Sequence, residues 1–492
     1  MALLPSSDFP IRRRFLSTGV LGLGLLVSGC MIAGRDYTSP SMITPDSWHQ
    51  SLTADLNSGS PDLESWWTRF NDPILNRLID TARESNRDLA IAYERITEAR
   101  AQRNIARSGL FPSLDFNGGA SRGRVSENVG TPSPPAGKTS NFWSTGIDAG
   151  WEVDLFGGVR RAVEAADATE EGVQEVYRDT LVSLYAEVAL NYIQLRTIEE
   201  RLKIANENIT NQQESVDLTS DRLEAGLAPE VDVSQATTSL ATSKATVPLL
   251  KNERNIALNR LATLIGRYPS AAQSMVGKSK GIPVPSRNAG VGIPADLVRA
   301  RPDIRAAERN LAAQTAVVGV AEADLYPRFT LGGTFNLQST AASSLLESNA
   351  RDYSFGPNFS WSIFNAGRIR SQIDIEESRT KQAYYNYENT VLKAVEEVEN
   401  AMSSVSNERD RYAALDEAVT ASAKTVSLTK DNYREGLIDF QNVLDAERTI
   451  FANEDERAIS QGQVAASYVA LYKALGGGTR MKPGKVATKD KS

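Results

Sequence analysis

Long parts of the chain carry an apolar residue at every seventh position, in two separate runs. A strict seven-residue period predicts long helices that supercoil around their neighbours with a left-handed twist. The proline-free stretch 159–223 would extend roughly 100 Å as one helix, far beyond an average helix. The apolar positions are Leu181, Val188, Leu195, Leu202, Ile209, Val216 and Leu223 in the first run, and Val391, Val398, Val405, Tyr412, Val419, Val426 and Tyr433 in the second.

Each long run ends at a glycine and is followed by a second helical pattern. Gly226 and Gly436 suit the end of a helix, because glycine readily adopts the left-handed conformation found there. Pro229 then fits the first turn of the next helix. The pattern predicts second helices over 231–265 and 441–475, and shorter helices over about 88–109 and 303–324.

Between the shorter and the longer helical patterns, the period of the apolar residues changes to two. Segments of about ten residues with one apolar and one polar face are what a membrane β-barrel requires. A half-buried sheet of a soluble protein gives the same alternation, but the long helices and the N-terminal signal described below favour the barrel. The candidate lipid-facing residues of this barrel are Trp143, Ile147, Trp151, Phe329, Leu331, Phe359 and Trp361.

The two halves of the chain are copies of each other. Asp88 matches Asp303 at an offset of 215 residues, whereas Trp151 matches Trp361 at an offset of 210. The second copy is therefore five residues shorter, and the shortening falls opposite the Pro/Gly/Ser-rich stretch 127–140 of the first copy. A change of length at this point indicates a surface loop.

Two strands in each repeat give four strands per chain, which are too few to close a barrel. An open sheet edge in hydrocarbon leaves backbone groups unpaired at a cost of several kcal/mol each. Two chains would give eight strands with a filled interior, and three would give twelve, roughly enough for a lumen. The strand count therefore predicts an oligomer, and a trimer if the barrel is to hold a lumen through which solutes pass.

The N-terminus has the form of a bacterial lipoprotein signal peptide. Arg12–Arg14 precede an apolar run over 15–27 that is too short to span a bilayer. The following VSGC resembles a lipobox, whose cysteine, here Cys30, receives lipid and becomes the first residue of the mature chain. Met31, instead of Asp, implies delivery to the outer membrane. The other interpretation, a buried free cysteine, fits poorly at a cleavage point, and the arginines are compatible with Sec or twin-arginine export.

Composition excludes most enzyme chemistry. Cys30 is the only cysteine of 492 residues, so no disulfide and no Cys-His set can form in addition to the anchor. His49, the only histidine, lies in a polar segment and is most simply a solvated side chain. A net charge of −7 gives no reason to expect nucleic acid. AGKTS at 136–140 lacks the first glycine of a phosphate loop, because Pro132 stands there. We expect no enzyme, no cofactor and no metal site.

The chain resembles outer-membrane factors of the TolC family, in particular the OprM/NodT-type efflux lipoproteins. The resemblance covers essentially the whole mature chain, and it is carried by VSGC with GRDYTSP, WWTRFNDPILNRLI, PADLVRARPDIRAAERNLAAQTAVVGVAEADLYP, WEVDLFGGVRR and the two glycine turns. It implies a mainly α-helical homotrimer with a shared twelve-strand outer-membrane barrel and a twelve-helix periplasmic tunnel. It also implies three partners: a periplasmic adaptor protein, an inner-membrane pump of the resistance-nodulation-division (RND) type, and outer-membrane lipid.

The resemblance gives expected boundaries for the parts of the chain. The parts are a signal peptide (1–29), an N-terminal anchor and equatorial segment (30–86), a first repeat (87–266), an equatorial linker (267–300), a second repeat (301–475) and a polar tail (476–492). The equatorial belt of the family corresponds to residues near 40–85, 267–300 and 476–492.

The same resemblance implies a periplasmic entrance at the glycine turns. Asn442 and Asp445 stand where the family often has two aspartates that narrow this entrance. Each position would contribute one side chain from each copy to a ring, and the ring formed by Asn442 would be uncharged. Tyr433 and Asp232 correspond to a hydrogen-bonded pair that helps to hold the tunnel closed. Ile438 replaces a companion arginine, which leaves a second latch without its cation. The turn residues expected to contact the adaptor are Gly226, Leu227, Gly436 and Leu437.

These carboxylates also have a simpler interpretation, since Asp232 and Asp445 fit solvated side chains in the first turns of helices. As a whole, the resemblance implies a passive exit duct for drugs or other small molecules. The alternatives are the exit duct of a type I protein secretion system and a non-conducting structural lipoprotein. The lipobox favours drug efflux, and conductance in a planar bilayer separates a duct from a scaffold.

Overall fold

The computed structural model describes residues 32–40, 45–51, 56–59, 63–128, 137–285, 289–295, 297 and 301–478. Within these residues, helices dominate the chain. They are α1 (Pro73–Ser85), α2 (Arg87–Ser108), α3 (Gly158–Glu224), α4 (Glu230–Leu264), α5 (Pro269–Val276), α6 (Pro302–Ala323), α7 (Arg368–Arg434) and α8 (Phe440–Ala474). No helix in the described part of the chain is both long enough and apolar enough to cross a bilayer.

The predicted helices are confirmed, and every bound given in the sequence analysis lies within one residue of the observed one. Helices α3 and α7 both have 67 residues, and α4 and α8 both have 35. Leu195 and Val398, on the predicted apolar stripes, are fully buried. Helix α4 continues through Pro248 although proline removes a backbone donor.

The strands form one larger sheet and one small pair. The bounds are β1 (Leu56–Asn57), β2 (Ser113–Arg124), β3 (Thr139–Val153), β4 (Ala289–Gly290), β5 (Arg328–Ser339) and β6 (Arg351–Ser360). Strands β1 and β4 pair in parallel. The larger sheet has the order β2-β3-β5-β6 with antiparallel neighbours, so in the described residues β2 and β6 are its two edges.

The register gives this sheet one apolar and one polar face, because residues directly opposite each other share a face. One row across the four strands is Phe116, Ile147, Phe335 and Tyr353. The neighbouring row on the opposite face is Asp115, Asp148, Thr334 and Ser354. The expected residues Trp143, Ile147, Trp151, Phe329, Leu331 and Phe359 all lie on the apolar face, whereas Trp361 follows the last residue of β6.

The chain divides into two compact units, each of which contains parts of both repeats. The first comprises residues 1–40, 98–171 and 308–385 and includes the larger sheet. The second comprises 41–97, 172–307 and 386–492 and holds the main apolar core, in which Trp66 stacks on Tyr472 with ring centroids 5.4 Å apart.

A buried polar network lies inside the core of the second unit. The Asp72 carboxylate accepts hydrogen bonds from the backbone amides of Ile74 and Leu75 and from the Tyr192 hydroxyl at 2.7 Å. The Arg196 side chain is fully buried and donates to the Tyr192 hydroxyl, to Glu199 and, at 2.8 Å, to the carbonyl of Val276. Every strong polar group of this network therefore has a partner, as burial requires.

Candidate functional site

The two helix turns have the same backbone conformation. After α3, Gly226 has φ +71° and the Leu227 amide donates to the Arg222 carbonyl at 2.8 Å. After α7, Gly436 has φ +76° and the Leu437 amide donates to the Asn432 carbonyl at 2.9 Å. This is a Schellman stop, which requires a left-handed residue and explains the glycines.

The side chains at the two turns are apolar and exposed. Leu227 and Leu437 are 66% and 68% exposed. They match the residues expected to contact an adaptor.

Tyr433 lies at the end of α7 and bonds to the first turn of α4. Its hydroxyl donates to the Asp232 carboxylate at 3.0 Å, and its ring, 3% exposed, packs on Phe440. Burial and the neighbouring carboxylate raise the pKa of Tyr433 to about 12. The hydroxyl therefore keeps its proton, and the bond is fully present below pH 10, the usual tyrosine pKa, and is lost as the pH rises towards 12.

Arg222, on the last turn of α3, adds a contact that the sequence analysis missed. Its guanidinium donates to the Arg434 carbonyl at 2.7 Å and lies over the Tyr433 ring at 4.8 Å from the centroid. A cation at a helix C-terminus both fills orphan carbonyls and complements the helix dipole. The repeat supplies no signal for this contact, because the position that matches Arg222 in the second copy is the uncharged Asn432. Ile438 packs against the apolar cluster around Tyr433.

A second charged contact lies about one helical turn from the Tyr433 bond. Lys430 of α7 and Glu447 of α8 form an ion pair at 2.8 Å, with side chains only 15% and 4% exposed. Ser215 of α3 donates to the same carboxylate at 2.5 Å. Because breaking a buried ion pair leaves an uncompensated charge, this cluster holds α3, α7 and α8 together.

The two residues expected at the constriction lie on one exposed face of α8. Asn442 donates from its side chain to the Asp439 carbonyl at 3.3 Å. The Asp445 carboxylate accepts a bond from Gln441 at 2.9 Å. Both side chains are exposed and three residues apart on the helix, so they point the same way.

Trp151, on the apolar face of β3, and Trp361, directly after β6, make equivalent hydrogen bonds. The indole of Trp151 donates to the Leu110 carbonyl at 3.1 Å, and that of Trp361 donates to the Leu325 carbonyl at 3.0 Å. Both pairs are related by the repeat. An apolar ring with one bonded polar tip is the usual form of an interfacial tryptophan.

The N-terminal segment beginning at Ile32 runs across the first unit. The Ala33 amide donates to the Phe156 carbonyl at 2.9 Å, and buried Arg161 donates back to the Ala33 carbonyl at 2.9 Å. A Cβ on Gly34, which has φ +83°, would lie 2.5 Å from the Cα of Gly319, so both positions suit glycine. Cys30 itself lies outside the described residues.

Most of the chain matches a family model described as outer membrane efflux protein, over residues 78–267 and 293–477. Nodulation protein T of Rhizobium leguminosarum bv. viciae is 30% identical over 461 residues, which cover 93% of this chain and 92% of that protein. SrpC of Pseudomonas putida, a solvent efflux pump outer membrane protein, is 31% identical and covers 92% of this chain and 96% of its own.

Solved structures of outer-membrane channels share the fold. The OprN channel superposes with a TM-score of 0.84 at 36% identity, over 91% of this chain and 99% of its own. The open state of the MtrE channel of Neisseria gonorrhoeae gives a TM-score of 0.75 at 27% identity, over 91% and 99%. The chain therefore belongs to the outer membrane efflux protein family, whose members are transport channels and not enzymes, and it has their TolC-like channel fold.

Proposed function

We propose that this chain is the passive exit duct of a tripartite efflux system of the RND type and carries small molecules from the periplasm to the exterior as a homotrimer. The observation that carries this proposal is the larger sheet. It has one continuous apolar face, one polar face and an edge strand at each side among the described residues. In a bilayer such a sheet is stable only when closed, and three copies give the twelve strands that enclose a lumen.

The relatives differ in what their names say they export, which supports a duct that does not select its cargo. SrpC is named for solvent efflux, OpmQ of Pseudomonas putida for pyoverdine export, and CusC of Escherichia coli for cation efflux. The polar face of the sheet is rich in Gly, Ser, Thr and Asn. A wall of small polar side chains suits passage of unrelated molecules better than recognition of one. The energy for transport then comes from the inner-membrane pump.

The helix turns are the proposed docking and gating region. Exposed Leu227 and Leu437, beside Gly226 and Gly436, would contact the periplasmic adaptor. Tyr433 and Asp232 would act as the latch, and Asp445 with Asn442 would line the constriction of the entrance. The hydrogen bond at 3.0 Å and the shared exposed face of α8 support these roles.

Conductance in a planar bilayer tests the proposed function. We expect the purified protein to form channels of low open probability, because the Tyr433 and Glu447 contacts hold the turns together. Addition of the adaptor should raise this probability. A protein that never conducts, even with both contacts removed, would instead be a structural lipoprotein.

We further infer that Cys30 anchors the chain to the outer membrane and that residues 1–29 are removed. One acyl chain holds a protein only marginally, so stable anchoring needs more than one. Mass spectrometry of the N-terminal peptide should show a diacylglycerol and an amide-linked acyl chain on Cys30. The Cys30→Ser variant should retain its signal peptide, and an unmodified Cys30 in the wild-type protein would contradict the anchor.

The proposed parts of the chain follow the repeat. Residues 87–266 and 301–475 would form the two structural repeats, while the segments 30–86, 267–300 and 476–492 would form the anchor, the equatorial linker and the tail. Support comes from the equal lengths of the long helices in the two repeats.

A further inference from the structure

Charged side chains on the larger sheet are sorted by sign between its two faces. The register places three charged residues of the four strands on the apolar face, and all three are arginines: Arg122, Arg124 and Arg351. The opposite face carries four carboxylates and one arginine: Asp115, Asp148, Glu152, Asp352 and Arg328. A charge on a lipid-facing surface is costly at the middle of a bilayer and costs little near its surfaces. The position of the three arginines along the strands therefore matters.

The three arginines lie at one end of this sheet. Arg124 is the last residue of β2 and Arg351 is the first residue of β6, and because neighbouring strands are antiparallel these termini meet at the same end. At the other end, β3 finishes at Val153 and leads into α3. Since the proposed duct extends its helices into the periplasm, the arginines lie at its exterior end.

Two tryptophans mark the height of the apolar part of this face. Trp143 and Trp151 lie on the same face of β3, eight residues apart, which is about 27 Å along the strand. At a strand tilt of about 40°, this spans about 21 Å along the barrel axis, close to the ~25 Å height of an outer-membrane apolar band. Because tryptophans occur at both boundaries of such a band, Trp143 marks the outer boundary.

The arginines of β2 lie beyond the residue that faces this tryptophan. The residue opposite Trp143 is Ala120, and Arg122 and Arg124 follow it on the same face. Their own partners across the hairpin are polar: Asn141 and Thr139. This end of the apolar face is therefore a polar rim whose charged side chains on β2 are all basic.

We propose that Arg122, Arg124 and Arg351 bind the phosphate groups of the phosphorylated glycolipid that forms the outer leaflet of the outer membrane. A guanidinium offers paired donors that match a phosphate, and such charge-assisted bonds are strong. Clusters of basic residues beside a membrane attract anionic lipid headgroups. The inference rests on the membrane barrel proposed above and adds the lipid that its outer rim recognises.

The guanidinium groups are accessible to such a ligand. Arg122 and Arg351 are exposed, and neither forms an ion pair with another described residue. Arg124 donates to Glu127 at 3.0 Å, but the two side chains are 62% and 71% exposed. An exposed pair of this kind contributes little, and a guanidinium has five N–H donors, so Arg124 can bind a phosphate as well.

Assembly would bring the arginines of two copies together. Strands β2 and β6 are the edges of the described sheet, so a barrel closed from three copies makes β6 of one copy the neighbour of β2 of the next. Arg351 of one copy then lies at the same end of the barrel as Arg122 and Arg124 of the next copy, on an adjoining strand. Each such cluster could bind a headgroup with more than one phosphate.

Lipid binding by the purified trimer tests this assignment. The probes are lipid A with both phosphates and the same lipid A after both phosphates have been removed, each titrated into the detergent-solubilised protein and counted by native mass spectrometry. Each basic residue near an anionic headgroup contributes about fivefold, so the wild-type protein should bind the phosphorylated probe roughly 100-fold more tightly. The Arg122→Gln/Arg124→Gln/Arg351→Gln variant should bind both probes alike.

Two further comparisons are the controls. Lys138→Gln removes one exposed positive charge directly before β3, at the same end of the sheet, and should bind like the wild type, whereas Arg122→Gln should lose about fivefold. The Arg122→Lys/Arg124→Lys/Arg351→Lys variant keeps the charges but not the paired donors. It should recover part of the affinity, which would show that the loss in the glutamine variant is not caused by misfolding.

Three results would overturn the site. They are equal affinity of the wild-type protein for both probes, wild-type affinity in the glutamine triple variant, and equal affinity for phosphatidylglycerol, which would make the rim a general surface for anionic lipids. Conductance of the same preparations separates the site from the function. A protein that conducts without preferring the phosphorylated probe would refute the lipid site alone, whereas one that prefers it but never conducts would refute the duct and leave the site intact.

Discussion

Replacing Tyr433 by Phe should raise the open probability of the purified channel in a planar bilayer by roughly ten- to hundred-fold. The substitution keeps the ring that packs on Phe440 but removes the hydroxyl that bonds to Asp232. A hydrogen bond to a charged group contributes about 1.5–3 kcal/mol, and each 1.4 kcal/mol changes an equilibrium about tenfold. Single-channel recording measures the open fraction directly.

Tyr385→Phe is the matched control, because Tyr385 lies on the same helix with 64% of its surface exposed. The open probability of the Tyr385→Phe channel should equal that of the wild-type channel. An equal rise in both variants would mean that the loss of any tyrosine hydroxyl loosens α7. If the open probability of Tyr433→Phe did not rise, the bond to Asp232 would have no role in gating. The Lys430–Glu447 ion pair would then be the main restraint on opening.

Replacing Arg196 by Ala should lower the free energy of unfolding by about 3–5 kcal/mol, the range seen when one partner of a buried charge pair is removed. The Arg196 side chain is fully buried, and its loss leaves the Val276 carbonyl without its donor and Glu199 without one of its two arginines. The midpoint of urea-induced unfolding, followed by tryptophan fluorescence, measures this change.

Lys203→Ala provides the comparison for Arg196, since Lys203 lies on the same helix and pairs with Glu200 at 3.0 Å, but its side chain is 61% exposed. An exposed pair of this kind contributes at most about 1 kcal/mol. The two midpoints should therefore differ clearly. If they were the same, the network around Arg196 would not be part of the stabilising core.

The helices were predictable because a period of seven persists over many turns. Each repetition, such as Leu181, Val188 and Leu195, adds evidence for the same apolar stripe, and the glycine stops have a local cause in backbone conformation. The strands were predictable for the same reason at a period of two, although Trp361 falls outside β6 because the end of a strand depends on its partner.

The contacts of the proposed gate were only partly predictable, because they join residues that are far apart in the sequence. The Tyr433–Asp232 pair came from the resemblance, not from any pattern in the chain. From the sequence, Arg222 and Lys430 resemble ordinary surface cations. Nothing in their local sequence shows that Arg222 bonds to a backbone carbonyl of α7, or that Lys430 pairs with the buried carboxylate of Glu447. Pro248 is the opposite case: its local preference is against the interior of a helix, but α4 continues through it.

The long helices have equal lengths in pairs, 67 residues for α3 and α7 and 35 for α4 and α8, and this restricts how the chain can change size. Helices α3 and α7 match each other residue for residue, as do α4 and α8, and Arg222 bonds to the Arg434 carbonyl only while both turns end together. Deleting seven residues from α3 alone would therefore move the end of α3 away from the end of α7 and break this bond. The same deletion in all four helices would remove one heptad and preserve every apolar stripe, so that a shorter duct could evolve, or be engineered, only through coordinated deletions.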